Sequence, residues 1–212
     1  MDFEELLQQV SDLPLFYSEL LYAGEVDRAN IQKQLSRWSA ANKIHQLRRG
    51  LYTLAKPYQQ TQPHPFLIAN HLISPSYVSL QSALAYYDLI PETAPQVLSI
   101  TSRHRSQAME TFYGSFHYHH IKPAFFTGFH LVQLDADQSA YLARPEKALL
   151  DLIYLTKQGS TQAYLESLRL QNLDQLDLKW MQTTVKHFGI KKLIRAVENL
   201  QKIMTSTNLR QL

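Results

Sequence analysis

The 212-residue chain contains no cysteine. This absence excludes disulfide bonds and a cysteine-ligated zinc ribbon. No apolar run approaches the roughly 18 residues that a membrane-spanning helix needs. The N-terminus, Met1-Asp2-Phe3-Glu4-Glu5, lacks the basic start of a signal peptide. We therefore expect a cytoplasmic protein with no membrane partner.

Acidic residues are absent from a long internal stretch. Between Arg28 and Tyr87 there is no Asp or Glu, whereas the same stretch holds seven basic residues. The first 27 residues show the opposite character, with seven acids and no Lys or Arg. A basic stretch without acids suits a partner that carries repeated negative charge, and the phosphate backbone of nucleic acid is the commonest such partner.

The composition is typical of a folded protein, with 45% hydrophobic and 11% aromatic residues. Residues 57–65 contain three prolines, three glutamines and no formal charge, which predicts a semi-extended linker. This segment divides the chain into an N-terminal module, residues 1–56, and a C-terminal domain, residues 66–212.

The N-terminal module shows the element order of a winged helix-turn-helix. Apolar periodicity predicts helices over 3–10, 16–22 and 27–42, and Gly24 fits a turn before the third. Two short strands flanking Gly50 predict a β-hairpin over 44–54. Five residues are expected in the core of this module: Ile31, Leu35, Trp38, Leu47 and Leu51.

The outward face of the third helix carries side chains that can reach bases and phosphates. Arg and Lys suit guanine and phosphate, and Asn or Gln suits adenine. Paired arginines in the hairpin turn can enter a minor groove or clamp phosphates. The predicted DNA-binding residues are Arg28, Asn30, Gln32, Lys33 and Arg37 on the helix, and Arg48 and Arg49 in the turn.

The C-terminal domain reads as mixed α/β and ends in helices, so the fold class expected for the whole chain is α+β. Strands are predicted at 77–79 and 97–101, with a hairpin over 111–121 that turns near Gly114. A helix is predicted from Pro145 to about residue 157, and three more over 161–172, 177–188 and 190–205. Lys147 and Asp151, four residues apart, are expected to form a surface pair of small value.

No pattern indicates enzyme chemistry or a cofactor. There is no glycine-rich phosphate loop and no metalloprotease helix. His117 and His119 share one face of a predicted strand, and His120 follows, but no third ligand stands at a telling spacing. We therefore expect no metal, no cofactor and no catalytic activity, with an enzyme acting on nucleic acid as a distant alternative.

Four segments in order resemble the AbiEi family of antitoxins and transcriptional regulators from bacterial type IV toxin–antitoxin systems. Together they span roughly residues 16 to 155. The segments are Leu47-Arg48-Arg49-Gly50-Leu51-Tyr52, Pro75-Ser76-Tyr77-Val78-Ser79-Leu80-Gln81-Ser82-Ala83-Leu84, Thr101-Ser102-Arg103 with the following hairpin, and Ala143-Arg144-Pro145-Glu146-Lys147-Ala148-Leu149-Leu150-Asp151.

The resemblance implies a winged helix that binds double-stranded DNA at the operator of its own operon and represses it. It also implies a C-terminal domain that counters a nucleotidyltransferase-like toxin, by opposing the toxin's effect rather than by binding it tightly. The alternative is a stand-alone transcription regulator whose C-terminal domain binds a ligand or forms an oligomer. The operator sequence does not follow from the resemblance.

Overall fold

The computed structural model describes residues 1–22, 27–92, 95–135 and 137–210, with side chains as far as residue 205. The chain folds as α+β, as the sequence predicts, and its strands form two separate β-sheets. The turn predicted at Gly24 lies outside the described residues.

The N-terminal part contains two helices and a small antiparallel sheet. Asp2 caps the first helix through a reciprocal capping box with Glu5, which satisfies the free N–H groups of the first turn. The sheet has the strand order β1-β3-β2. The elements are α1 (Phe3–Val10), β1 (Phe16–Tyr17), α2 (Arg28–Ala40), β2 (Ile44–Arg48) and β3 (Leu51–Leu54).

The helix predicted over 16–22 is wrong in its first two residues. Phe16 and Tyr17 form β1 and pair with Tyr52 and Leu51 of β3, and only Ser18–Tyr22 is helical, as a 3₁₀ turn. Phe16 is 2% exposed and stacks on Tyr52, so tertiary pairing outweighs the local helical pattern.

The core of the N-terminal part matches the prediction for the third helix and differs for the hairpin. Ile31, Leu35 and Trp38 are buried on one side of α2 against α1 and the sheet. Leu47 and Leu51 are also buried, but they pack into the hydrophobic core of the C-terminal part. The turn end of the hairpin therefore belongs to a core that both parts of the chain build.

The segment predicted as a linker makes specific contacts on both sides. Tyr58 packs edge-on against Phe3, with ring centroids 4.8 Å apart. The Gln59 amide donates to Thr53 at 3.0 Å and to the Tyr113 hydroxyl at 2.7 Å. Further along, the Gln138 side chain bonds the backbone at residues 62 and 64. This connection is fixed to both parts of the chain.

The C-terminal sheet has six strands in the order β6-β7-β5-β4-β9-β8. Two pairs are parallel, β5 with β7 and β4 with β9, and the remaining pairs are antiparallel. The predicted strand at 97–101 is confirmed. The predicted hairpin is present and turns just before Gly114, but its first strand begins at Gln107 and not at 111. The strands are β4 (Ser76–Val78), β5 (Val97–Thr101), β6 (Gln107–Thr111), β7 (Gly114–His120), β8 (Phe129–Asp135) and β9 (Gln138–Ala143).

Helices cover this sheet and complete the C-terminal part. The helix predicted from Pro145 is confirmed, and it is buried along most of its length. The tail is helical as predicted, although its first helix is shorter than the predicted 161–172 and its last is longer than 190–205. The helices are α3 (Pro65–Leu72), α4 (Leu80–Tyr86), α5 (Pro145–Leu155), α6 (Gln162–Ser167), α7 (Leu178–Phe188) and α8 (Lys191–Arg210).

Lys147 and Asp151 do not form the surface pair that their spacing predicts. Their side chains form an ion pair and are 1% and 4% exposed. Tyr77 and Ser79 donate to the second Asp151 oxygen at 2.9 and 2.8 Å, and the Lys147 ammonium also donates to Tyr77 at 2.8 Å. Apolar residues surround this side of α5, so the pair lies between helix and sheet and not in solvent.

Candidate nucleic-acid interface

Helix α2 begins at a capped N-terminus. The Asp27 carboxylate accepts from the backbone N–H groups of Ala29 and Asn30, at 2.9 and 3.3 Å. Such a cap stabilises the first turn, and its negative charge interacts favourably with the positive end of the helix dipole. The first turn itself carries no acidic residue. The Asp27 carboxylate thus occupies the N–H groups of this turn, while the side chains of Arg28 and Asn30 are exposed beside it.

The five predicted DNA-binding residues of α2 are all exposed, while the opposite side of the helix is buried. Asn30, Lys33 and Arg37 are spaced by three and four residues and so share one side of the helix. The predicted residues of this exposed α2 face are Arg28, Asn30, Gln32, Lys33 and Arg37.

Two residues of the exposed α2 face contact neighbouring aromatic side chains. The Gln32 amide donates to the Tyr52 hydroxyl at 3.4 Å, which links α2 to β3. The Arg28 guanidinium lies 5.4 Å from the centre of the Tyr22 ring. These contacts restrict both side chains at the margin of the face, whereas Lys33 and Arg37 extend from its middle.

The hairpin turn places its two arginines in different environments. Gly50 has φ +79°, a left-handed conformation that favours glycine, and this closes the turn after Arg49. Arg49 is exposed, but Arg48 is half-buried. Only Arg49 is therefore fully open to an external partner in this conformation.

Arg48 lies at the junction of the two parts of the chain. Its Nε donates to the carbonyl oxygen of His71 on α3 at 3.0 Å, and its guanidinium lies 5.6 Å from the centre of the Tyr17 ring. The Tyr17 hydroxyl and the His71 Nδ1 atom are 2.9 Å apart. We call Tyr17, Arg48 and His71 the junction cluster. Sequence reasoning missed it because its members come from three separate elements.

The histidines of β7 show the geometry of a paired strand. His117 and His119 are half-buried on β7, which pairs with β5 on one side and β6 on the other. In the described ranges, no three His, Asp or Glu side chains are grouped so that they could hold a metal ion.

Nor does any helix of the described chain combine the length and apolar character required to cross a membrane.

Neither the protein-family models nor the curated proteins compared with this chain gave a match. Its function must therefore be argued from its own residues and fold.

Proposed function

We propose that residues 1–56 form a winged helix-turn-helix that binds double-stranded DNA at the operator of its own operon. The element order, helix, strand, helical turn, helix and hairpin, supports this proposal, as does the strand order β1-β3-β2. The observation that carries it is the exposed α2 face. Five polar or basic side chains project from the helix that precedes the hairpin, with its apolar side buried.

The hairpin turn is the proposed wing, and Arg49 is its phosphate or minor-groove contact. Arg48 reaches DNA only if it leaves the junction cluster, so DNA binding and the contact with His71 compete for the same guanidinium. This competition supplies a physical connection between the wing and the C-terminal part. We place the protein in the cytoplasm, where its operator is found.

The ordered resemblance to AbiEi antitoxins supports a second role for the C-terminal part. We propose that it counters a nucleotidyltransferase-like toxin, without requiring direct contact with that toxin. Two of the resembling segments meet in the structure, because Tyr77 and Ser79 of one bond to Asp151 of the other. Residues of both segments therefore take part in the buried polar network that joins β4 to α5.

A stand-alone regulator that senses a ligand remains the second candidate. It is favoured by a pocket in the C-terminal part, where the side chains of Tyr87, Arg144 and Glu146 converge. In that case the C-terminal part would sense a small molecule and would have no role against a toxin. The two candidates share the same DNA-binding module.

A paired assay separates repression from rescue in the full-length protein. A promoter–reporter measures repression, and growth during co-expression of a neighbouring nucleotidyltransferase-like gene measures rescue. Lys33→Ala with Arg37→Ala should abolish repression and leave rescue intact. Lys157→Ala with Lys202→Ala removes the same charge from exposed sites elsewhere and should change neither readout. Rescue that never occurs with any variant would remove the antitoxin role and leave the stand-alone regulator.

A further inference from the structure

β8 is the last strand of the six-stranded sheet, and no described strand pairs with its outer side. The backbone N–H and C=O groups on the outer side of an edge strand can pair with another chain, and natural edges are commonly protected by charged side chains, by proline or by a bulge. Residues 129–133 of β8 include no Asp, Glu, Lys, Arg or Pro, and the bulge of this strand comes only after Gln133. This part of the edge is therefore unprotected.

The backbone of Leu131 faces the open side of β8. In an antiparallel pair, successive residues direct their bonding groups alternately toward and away from the partner strand. The N–H of Arg144 donates to the carbonyl oxygen of Gly128 at 3.0 Å, so Gly128 faces β9. Tyr141 lies opposite Leu131, and its backbone bonds to the side-chain amide of Asn70 instead. Leu131, three residues after Gly128, therefore directs its N–H and C=O groups away from β9.

Apolar side chains lie along the same edge. Leu131 is 57% exposed, and Tyr141, directly opposite it on β9, is 48% exposed. Cross-strand neighbours of this kind project from one face of a sheet. Phe129 packs edge-on against Tyr141, with ring centroids 5.9 Å apart. We call Phe129, Leu131 and Tyr141 the β8 patch. A partner that fits this edge must pair with the backbone and cover the patch together.

We propose that β8 pairs antiparallel with β8 of a second copy of this chain, so that the protein forms a two-fold symmetric dimer. The symmetry axis passes between the two Leu131 residues, which exchange N–H···O=C bonds because both face the open edge. Each Leu131 then lies between Tyr141 of its own chain and Leu131 of the other. The side chains of these two residues in both copies form one apolar row across the interface.

The charges at the two ends of β8 suit pairing with a second copy. Asp135 ends the strand and is exposed, whereas the strand begins beside Arg144, which bonds to Gly128. With the axis at Leu131, the acidic end of each strand lies alongside the end of the other strand where Arg144 is found. No formal charge in the central part of the strand meets its own copy. The edge is therefore complementary to itself in charge as well as in backbone direction.

The opposite edge of the same sheet, β6, lacks this complementarity. It carries the exposed acid Glu110 within a strand of five residues. Like charges that face each other destabilise paired strands, so an acid at this edge opposes self-pairing. The dimer depends neither on the proposed DNA binding nor on a toxin, because residues of the C-terminal part form the whole contact.

Analytical ultracentrifugation of the full-length protein between about 1 and 100 µM tests the proposal. The wild type should move from a mass near 24.6 kDa toward twice that mass as its concentration rises. Leu131→Lys places two like charges across the axis and should weaken the dimer at least about tenfold. Ala108→Lys adds the same charge at an exposed position of β6 and should leave the dimer unchanged.

Cross-linking tests the register of the two strands, since the chain contains no cysteine of its own. In Leu131→Cys the two thiols belong to residues whose Cα atoms lie about 5.5 Å apart, so a short bis-maleimide should link the dimer rapidly. In Gln133→Cys each thiol lies opposite Phe129 of the other copy, roughly 13 Å along the strands from its mate. This variant should be linked slowly.

A wild type that stays at 24.6 kDa over the whole range would overturn the proposal and leave the edge to a strand of a different protein. Dissociation by Ala108→Lys and not by Leu131→Lys would place the contact at β6 and overturn it as well. So would cross-linking of Gln133→Cys as fast as that of Leu131→Cys. Far-UV circular dichroism checks the fold of each variant, and Leu131→Cys still decides the matter if Leu131→Lys does not fold.

Discussion

Lys147 is as buried as the aliphatic residues around it, and its charge is tolerated because Asp151 lies beside it. Burial lowers its pKa below the usual 10.5, and the Asp151 carboxylate opposes that shift. Burial and the same carboxylate raise the pKa of Tyr77 well above its usual value, so Tyr77 remains a donor. Each buried charge is tolerated only while the other neutralises it. Removal of one partner would leave the other charge buried and unpaired.

We expect Lys147→Met to destabilise the protein by about 3–5 kcal/mol, since it leaves the Asp151 carboxylate without its cation. Adding Asp151→Asn should recover much of this loss by removing the stranded charge. Lys157→Met changes an exposed lysine nearby and is the matched control. Urea unfolding at neutral pH measures all three. If Lys147→Met were as stable as Lys157→Met, the ion pair would contribute nothing to stability.

Trp38 is the largest apolar side chain of α2 that is directed into the N-terminal core, and it is 7% exposed. Phe3 packs against it edge-on, with ring centroids 5.5 Å apart. Trp38→Ala should cost about 3–5 kcal/mol in unfolding free energy through the cavity it leaves. Arg37→Ala, on the exposed side of the same helix, should change stability by less than about 0.5 kcal/mol. Comparable losses in the two variants would contradict this assignment of the helix faces.

At the scale of elements, local signals predict α2 and the hairpin well. Asp27 is a strong N-cap, Ile31, Leu35 and Trp38 recur on one side of the helix, and Gly50 marks the turn. Each of these signals is a property of consecutive residues. For the same reason the sequence predicts strand β5 and the start of α5 at Pro145.

Other elements depend on partners that are distant along the chain. β1 is two residues long and exists because Phe16 and Tyr17 pair with β3. β8 lies at the edge of its sheet, and its exposed Leu131 breaks the apolar alternation that marks a strand. β5 and β7 pair in parallel, and parallel strands are not joined by a short turn. The sequence therefore gives no local signal that these two strands pair.

The junction cluster predicts a pH-dependent stability. Burial, together with the nearby Arg48 charge, lowers the pKa of His71 below its usual 6.5. As the pH falls through 6.5, the unfolded chain takes up a proton at this position before the folded chain does. Folding therefore loses stability as the pH falls from 6.5 toward the lowered folded-state pKa, and the contribution is fully present above that window.

His71→Asn tests this expectation, because Asn cannot be protonated in this range. Urea unfolding at about pH 7.5 and about pH 5.5 should show a smaller loss of stability on acidification in the variant than in the wild type. His104→Asn replaces an exposed histidine and should behave as the wild type does. An equal loss in all three proteins would remove His71 from the pH response.

At the scale of the whole molecule, the two parts of the chain share a core. Leu47 and Leu51 of the hairpin pack with apolar residues of the C-terminal part, and the connection after β3 is bonded to both sides. The composition of residues 57–65 predicts a linker between two modules. It does not reveal the contacts that these residues make, because their partners are distant in the sequence. The side chains of the junction cluster add a polar link beside the shared apolar one.

This shared core predicts unfolding as one cooperative unit. In a Trp180→Phe variant, Trp38 is the only remaining tryptophan and reports on the N-terminal part. Its fluorescence and the far-UV circular dichroism of the whole chain should follow coincident urea transitions. A fluorescence transition that clearly precedes the loss of helical signal would show two independent modules.

The sequence predicts one part of the proposed DNA-binding site and misses another. The exposed α2 face follows from helical spacing, because one side of an amphipathic helix must face solvent. The half-buried position of Arg48 arises from its contacts with His71 and Tyr17, which are distant along the chain. Chemically similar neighbours in sequence, such as Arg48 and Arg49, therefore acquire different environments that no local pattern distinguishes.

Binding of the upstream operator duplex, measured by fluorescence anisotropy between about 50 and 200 mM salt, tests the central claim most directly. The wild-type affinity should fall steeply with salt, because contacts to phosphates release counterions. Lys33→Ala with Arg37→Ala should weaken binding and reduce the magnitude of the slope of log K against log salt by about 2 if both side chains contact phosphates. Lys157→Ala with Lys202→Ala should retain the wild-type affinity and slope. Identical affinity and slope in both double variants would contradict DNA binding through α2.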